Sequence, residues 1–141
     1  MEETMQVIDE VYRANQVCVL GTSGEDGLWI ASTYFAEDGT DFYCLLTQGT
    51  KTLENSKKDS NVAFCVDRQV PDKFLQGSAE IEHLPDGSDG KKKGEELLLA
   101  KIPEIAGFMQ DPSYTICRIS PTKVYVTDFS KGWFPAKVVE L

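Results

Sequence analysis

The stretch Leu46-Thr47-Gln48-Gly49-Thr50-Lys51-Thr52-Leu53-Glu54-Asn55 gathers the densest set of ligand-binding groups in this chain. An apolar strand runs into a Thr/Gly turn, and a short polar helix follows at once. The first N–H groups of a helix lack intrahelical acceptors and carry partial positive charge, so a helix start is a ready anion site. Here Thr47, Thr50 and Thr52 add hydroxyls, Lys51 adds an ammonium, and Gly49 permits close approach. A phosphomonoester is the ligand such a set suits. The turn is no Walker loop, which needs more glycines and a G-K-[ST] ending. Spacing alone also fits a plain capped helix, with Thr50 as N-cap.

Two further segments have the residue types for a flat ligand. In Trp29-Ile30-Ala31-Ser32-Thr33-Tyr34, small side chains leave the backbone within reach of a ring; the same pattern also fits a strand packed against a bulky neighbour. In Lys131-Gly132-Trp133-Phe134-Pro135, an indole on a glycine hinge could cover a planar ligand, make a subunit contact, or plug the core. His83 is the sole histidine, and no Ser/His/Asp or Cys/His pairing can be placed around it from sequence. Asp26, Glu37, Asp38 and Asp41 fall in turns, where Asp stabilises the bend.

Composition narrows the function classes. The chain has 141 residues, 41% of them hydrophobic, enough for one domain with a core. A net charge of −9 speaks against nucleic acid, whose binding rests on neutralising phosphates. No apolar run approaches the roughly 20 residues that span a bilayer. Met1-Glu2-Glu3-Thr4 has neither the basic nor the apolar region of a signal peptide, so a cytoplasmic protein with no membrane partner is expected. Cys18, Cys44, Cys65 and Cys117 form no C-x-x-C pair and sit in apolar stretches, which reads as buried thiols rather than a metal site.

The elements that must position these groups follow from periodicity. Residues 3–15 have helical spacing at Met5, Val7, Ile8, Val11 and Tyr12. Strands are expected at 17–22, 28–36 and 42–47, joined by an Asp-Gly turn and a second acidic turn into a meander. A short helix is expected over 51–58, then strands at 62–67 and 74–84, with Gly77 marking a bulge or close approach. Helical spacing returns at 91–100, Pro103 interrupts it, and 105–109 adds a turn. Two strands, 114–119 and 123–129, flank Ser120-Pro121; an aromatic loop and a short strand at 136–141 end the chain. Hairpins of this kind point to a mainly β protein, a small closed barrel with added helices, in one domain over 1–141. Its additions are the N-terminal helix (1–15), a helical insertion (85–112) and a C-terminal tail (130–141).

The order of these pieces resembles the FMN-binding split-barrel family typified by pyridoxamine 5′-phosphate oxidase. The likeness runs through Cys18-Val19-Leu20-Gly21-Thr22, Gly24-Glu25-Asp26-Gly27, Phe42-Tyr43-Cys44-Leu45-Leu46-Thr47, Gly49-Thr50-Lys51-Thr52, Asn61-Val62-Ala63-Phe64 and Gln76-Gly77-Ser78-Ala79-Glu80-Ile81. It implies a six- to eight-stranded antiparallel split barrel and a homodimer with FMN at the subunit interface. It places the phosphate at Thr50-Lys51-Thr52, where the family has Ser-Arg-Lys, and the ring against Ile30, Ala31, Ser32 and Thr33, with Leu46 and Thr47 beside it. Trp133 would approach the flavin of the partner. The C-terminal Trp and Arg motif of the true oxidase is missing, so another reaction than oxidation of pyridoxamine phosphate is expected. The resemblance implies an FMN-dependent oxidoreductase fed by a nicotinamide or other small-molecule electron donor. A non-catalytic FMN carrier, a haem or deazaflavin binder, and a cofactor-free barrel acting through its dimer surface remain open beside it. For haem, His83 would be the only histidine ligand.

Overall fold

The computed structural model describes residues 2–67 and 69–141. In chain order, α1 (Glu2–Ala14) precedes the meander β1 (Val17–Gly24), β2 (Gly27–Asp38) and β3 (Asp41–Thr47). Then follow α2 (Lys51–Lys58), β4 (Asn61–Val66), β5 (Lys73–His83), α3 (Asp89–Lys101), a 3-10 segment (Pro103–Gln110), β6 (Tyr114–Asp128) and β7 (Trp133–Glu140). The strands pair in the order β3-β2-β1-β4-β5-β6-β7, and β3 also pairs with β6. That last pairing closes six antiparallel strands into a barrel and leaves β7 as an extra strand along β6.

The barrel is closed on a core of inward side chains. Tyr12, Phe35, Phe42 and Phe64 meet edge to face, with centroid separations of 5.4 Å for Phe35–Phe42 and 5.6 Å for Tyr12–Phe42. Helix α1 contributes Val7, Ile8, Val11 and Tyr12 to the same cluster, the stripe its spacing predicts. A second cluster lies under α3 and joins Leu98, Ile102 and Ile105 to Tyr43 and Ile116. Gly94 makes that approach possible, since a Cβ there would meet Tyr43 and Ile116 at 2.7 Å.

Two expectations about the chain's end are corrected. β6 is one strand, not two separated by Ser120-Pro121. Pairing steps from Ser78–Lys123 to Ala79–Pro121, so Thr122 is an extra residue on β6. A proline is tolerated at such a bulge because the ladder needs no N–H from it. The tail is also mostly strand: a short 3-10 turn (Phe129–Lys131) and Gly132, at φ 72°, lead directly into β7 at Trp133.

One irregularity shapes the surface. β2 and β3 pair only from Phe35–Cys44 to Asp38–Asp41. Beyond that point β2 stays paired to β1 and β3 to β6, but not to each other. The barrel is therefore split along the edge of β2 before Phe35, opposite Leu45–Thr47 of β3. Backbone groups on these facing edges are not tied into a ladder.

Candidate functional site

The split opens a cavity of about 400 Å³. Ser32 and Thr33 of β2 and Leu45 and Thr47 of β3 form its two sides. At its head, the Thr33 hydroxyl donates across the gap to the Leu45 carbonyl at 2.7 Å. Tyr34, Phe108 and Tyr114 supply aromatic walls, and Asp111 and Ser113 its rim. The Tyr34 and Phe108 rings lie 6.3 Å apart at 33°. Mostly apolar walls with a few placed polar groups are the usual form of a small-molecule site.

Past Thr47, the chain turns through Gly49, at φ 85°, into α2. Thr50 is the N-cap: its hydroxyl accepts from the Leu53 N–H at 3.3 Å and donates to the Thr47 carbonyl at 2.8 Å. That hydroxyl fixes the helix start, while the Lys51 side chain stands exposed beside it. The Lys51 ammonium is 3.5 Å from the Asp26 carboxylate and 4.9 Å from the centroid of the Trp29 ring. Lys57 reaches back over the turn and donates to Gln48 Oε1 at 3.3 Å, whereas Lys58 pairs with Glu25 at 3.0 Å. The corner where the helix starts thus follows directly on Thr47 of the cleft, with Lys51 held on the side of Asp26 and Trp29 and Lys57 on the side of Gln48 and Glu54.

The structure brings some expected site residues together and separates others. Ser32, Thr33 and Thr47 line the cleft, and Thr50 is bonded to Thr47, whereas Lys51 lines a separate depression with Asp26 and Trp29. Thr52 is only 3% exposed because it lies on the buried face of α2 with Leu53 and Ser56, so its hydroxyl is withdrawn from the corner. Leu46 points into the barrel core. Ile30, 72% exposed, is on the outer face of β2 in a shallow depression with Leu28, Gly21 and Ala63, and Ala31 is half-buried beside it. Trp133 is 7% exposed within the barrel's core cluster, with the Lys137 ammonium 4.6 Å from its ring. Of the three roles its loop allowed, the core plug is the one observed; a side chain so deeply packed has little surface left for a ligand.

Sequence reasoning missed Tyr34, Phe108, Asp111 and Tyr114 as cleft residues. It also missed the set around His83. His83 and Cys117 stand opposite each other on β5 and β6, and Cys117 Sγ is 3.6 Å from His83 Nδ1. On the other side, Ser56 Oγ is 3.2 Å from His83 Nε2. Ser56 has one proton, which we assign to the nearer acceptor, the Leu53 carbonyl at 2.8 Å. The hydroxyl can then only accept from Nε2–H, which leaves Nδ1 to accept the thiol proton of Cys117. Burial pushes the Cys117 thiol up to about 12, so that proton stays in place. Both ring nitrogens are engaged. Among the described residues, no group of three or more His, Cys, Asp or Glu is placed to hold a metal ion.

No family model and no curated protein matches the chain. Solved structures do. It superposes on a Clostridium acetobutylicum protein related to general stress protein 26 of B. subtilis, of the pyridoxinephosphate oxidase family. The TM-score is 0.78 at 19% identity, over 100% of this chain and 96% of that one. The fold is a split barrel. HutZ, the haem storage protein of Vibrio cholerae, has the same split barrel, with a TM-score of 0.76 at 15% identity over 85% of this chain and 92% of that one. A haem binding protein from Mycobacterium smegmatis gives 0.81 at 10% identity; the match covers 97% of this chain and 57% of that longer chain. At these identities the likeness is one of split-barrel fold, and the ligand must be argued from the site itself.

Proposed function

We propose that this chain is an FMN-binding flavoprotein and an oxidoreductase related in fold to pyridoxamine 5′-phosphate oxidase. The observation that carries the reading is the split between β2 and β3 with the start of α2 at its foot. A flat ring fits the cleft, where strand-edge backbone groups can bond its heteroatoms. A terminal phosphate fits the corner of Thr47, Lys51 and Lys57. When bound, a flavin supplies one- and two-electron chemistry; the protein orients it and controls access. Such chemistry needs no side-chain acid or base at the reacting ring, so a cleft without a Ser/His/Asp set is no obstacle. The electron donor is a small molecule, a nicotinamide being the obvious test.

The same reading makes the protein a homodimer. Leu28 is 89% exposed and Ile30 72%, and both flank Gly21 and Ala63 on the outer face of β2, β1 and β4. An apolar patch of this kind marks an interaction surface, and a second copy would cover it next to the cleft. Four free cysteines suit a reducing compartment such as the cytoplasm, and no described helix is long and apolar enough to cross a membrane.

A haem reading has a specific observation in its favour: two of the similar structures are of haem binding and storage proteins. The residues here fit haem less well. His83 would have to give up Cys117 or Ser56 to ligate iron, and its side chain is directed into that network. The visible spectrum of the purified protein tests the choice directly. Flavin bands are expected; a Soret band would establish haem, and a deazaflavin would shift the long-wavelength band to the blue. Lys51→Glu should lose FMN at least tenfold in affinity, and full retention would reject the placement. Anaerobic mixing with NADH or NADPH then separates enzyme from carrier by whether the flavin bleaches.

A further inference from the structure

Among the described residues that line the cleft, Asp111 alone carries a charge. Its Oδ1 accepts the Ser113 N–H at 2.9 Å and the Ser113 hydroxyl at 2.8 Å. Those two bonds, the backbone one foremost, hold its carboxyl below the usual carboxylate range, so it is ionised at any ordinary pH. Both bonds fall on Oδ1. Oδ2 has no donor among the described residues, and no lysine or arginine pairs with it. Lys91, which lies 4.9 Å over the Tyr114 ring, is bound to Asp86.

The carboxylate faces a pocket of π surfaces. Phe108 is 58% exposed, Tyr34 stands beside it, and Tyr114 closes a third side. Aromatic faces attract cations through their quadrupole, and a free carboxylate adds a directional partner. An anion would meet repulsion here and no donor cation. The phosphate corner at α2 and this rim are therefore opposite in charge preference, which assigns them different parts of a reaction.

We propose that the rim of the cleft selects a small organic cation as the molecule that meets the bound flavin: a protonated amine or alkylammonium whose apolar body lies against the exposed Phe108 ring and whose charge faces Asp111. The co-substrate carries no phosphate of its own, because no cation lines the cleft to receive one. Its role as co-substrate rests on the flavin reading; the recognition of the cation does not.

The test uses the full chain, with and without FMN. Benzylamine, protonated at neutral pH, and benzyl alcohol, its uncharged analogue, are titrated in turn and followed by the backbone amide NMR signals of Phe108 and Ser113. Benzylamine should bind roughly tenfold tighter at low salt. Asp111→Asn should cut the preference at least threefold, the aromatic faces keeping the remainder, and Phe108→Ala should weaken both. Equal affinities in the unaltered protein, or a preference undiminished by Asp111→Asn, overturns the proposal. A chain that takes up no FMN yet prefers benzylamine keeps the cation site and rejects the flavin reading. A chain that binds FMN without the preference does the reverse.

Discussion

Lys51 and Asp26 form an ion pair that joins the ligand corner to the turn between β1 and β2, with Nζ 3.5 Å from the carboxylate. Both side chains are exposed, so the pair is worth little, at most about 1 kcal/mol. A phosphate at α2 must nonetheless draw the lysine away from Asp26. Asp26→Asn is therefore expected to tighten FMN about two- to fivefold at low salt. The gain should shrink at 1 M salt, where charges are screened within roughly 3 Å. Flavin fluorescence quenching measures both; an unchanged or weaker affinity would place the phosphate elsewhere.

Much of this architecture was legible in the sequence because its signals are local. The α1 stripe, the Asp-Gly hairpin and the Thr50 cap each depend on residues a few positions apart. Gly77 was read as a bulge or close approach, and it is the second: Phe64 and the Lys123 backbone crowd it, while the bulge lies on the partner strand at Thr122. The cleft was not legible. It exists because β3 pairs with β6 along nearly its whole length but with β2 only up to Cys44, and Leu46 meets Thr115 across a connection that includes five other elements. No local pattern encodes such a closure, nor the arrival of Phe108 and Asp111 at the rim. Trp133 stayed open among three roles because a glycine before an aromatic marks a turn without saying which way the ring goes. His83 and Cys117 were read singly, since only strand register makes them neighbours.

The outer face of β2 tests the dimer. Ile30 sits 72% exposed in the apolar depression, and a charge there costs nothing in a monomer. Ile30→Glu should therefore leave folding intact while buried carboxylates oppose association. Light scattering should show a dimer for the unaltered chain and a monomer for the variant. If both have the same mass, this face is not the interface.

Lys101 tests the seal between α3 and the barrel. Its ammonium donates to Glu37 at 2.6 Å and to the Tyr12 carbonyl at 2.9 Å, and lies 4.0 Å from the Phe35 ring centroid. Burial lowers its pKa, with Glu37 opposing that effect. Between the lowered folded value and the unfolded one, the unfolded chain holds more protons, so this group makes stability rise with pH there. Glu37→Gln strands the charge and should cost about 1–3 kcal/mol at pH 7. The loss should diminish as alkaline pH neutralises Lys101, because a neutral amine needs no carboxylate. Urea melts at pH 7 and pH 10 decide; a loss that is constant or grows contradicts the assignment.

Gly77 tests the close approach of β5 to its neighbours. A Cβ there would stand 2.7 Å from Phe64 in the core and closer still to the Lys123 carbonyl. Backbone cannot retreat without breaking the β5–β6 ladder, so Gly77→Ala should destabilise by about 1–3 kcal/mol or more. Gly39→Ala serves as the contrast, since nothing lies within 4 Å of its added Cβ and only its φ of 66° opposes the change. Thermal melts should rank Gly77→Ala as the more damaging of the two; the reverse order would mean that β5 can yield.

His83 gives the sharpest test of the internal polar network, because a single histidine needs no assignment. Ser56 spends its proton on Leu53 and Cys117 keeps its own, so the imidazole must carry hydrogen on Nε2 and a lone pair on Nδ1. Long-range 1H–15N spectra at neutral pH should show one protonated Nε2 and one pyridine-like Nδ1. Ser56→Ala removes the acceptor of that N–H and should cost about 1 kcal/mol, while freeing the ring to change tautomer. The two effects belong together: the hydroxyl both anchors α2, which carries the ligand corner, and sets the proton position on His83. A histidine already found with hydrogen on Nδ1 would reverse the bonds to Ser56 and Cys117 and take the Ser56 proton from the Leu53 carbonyl.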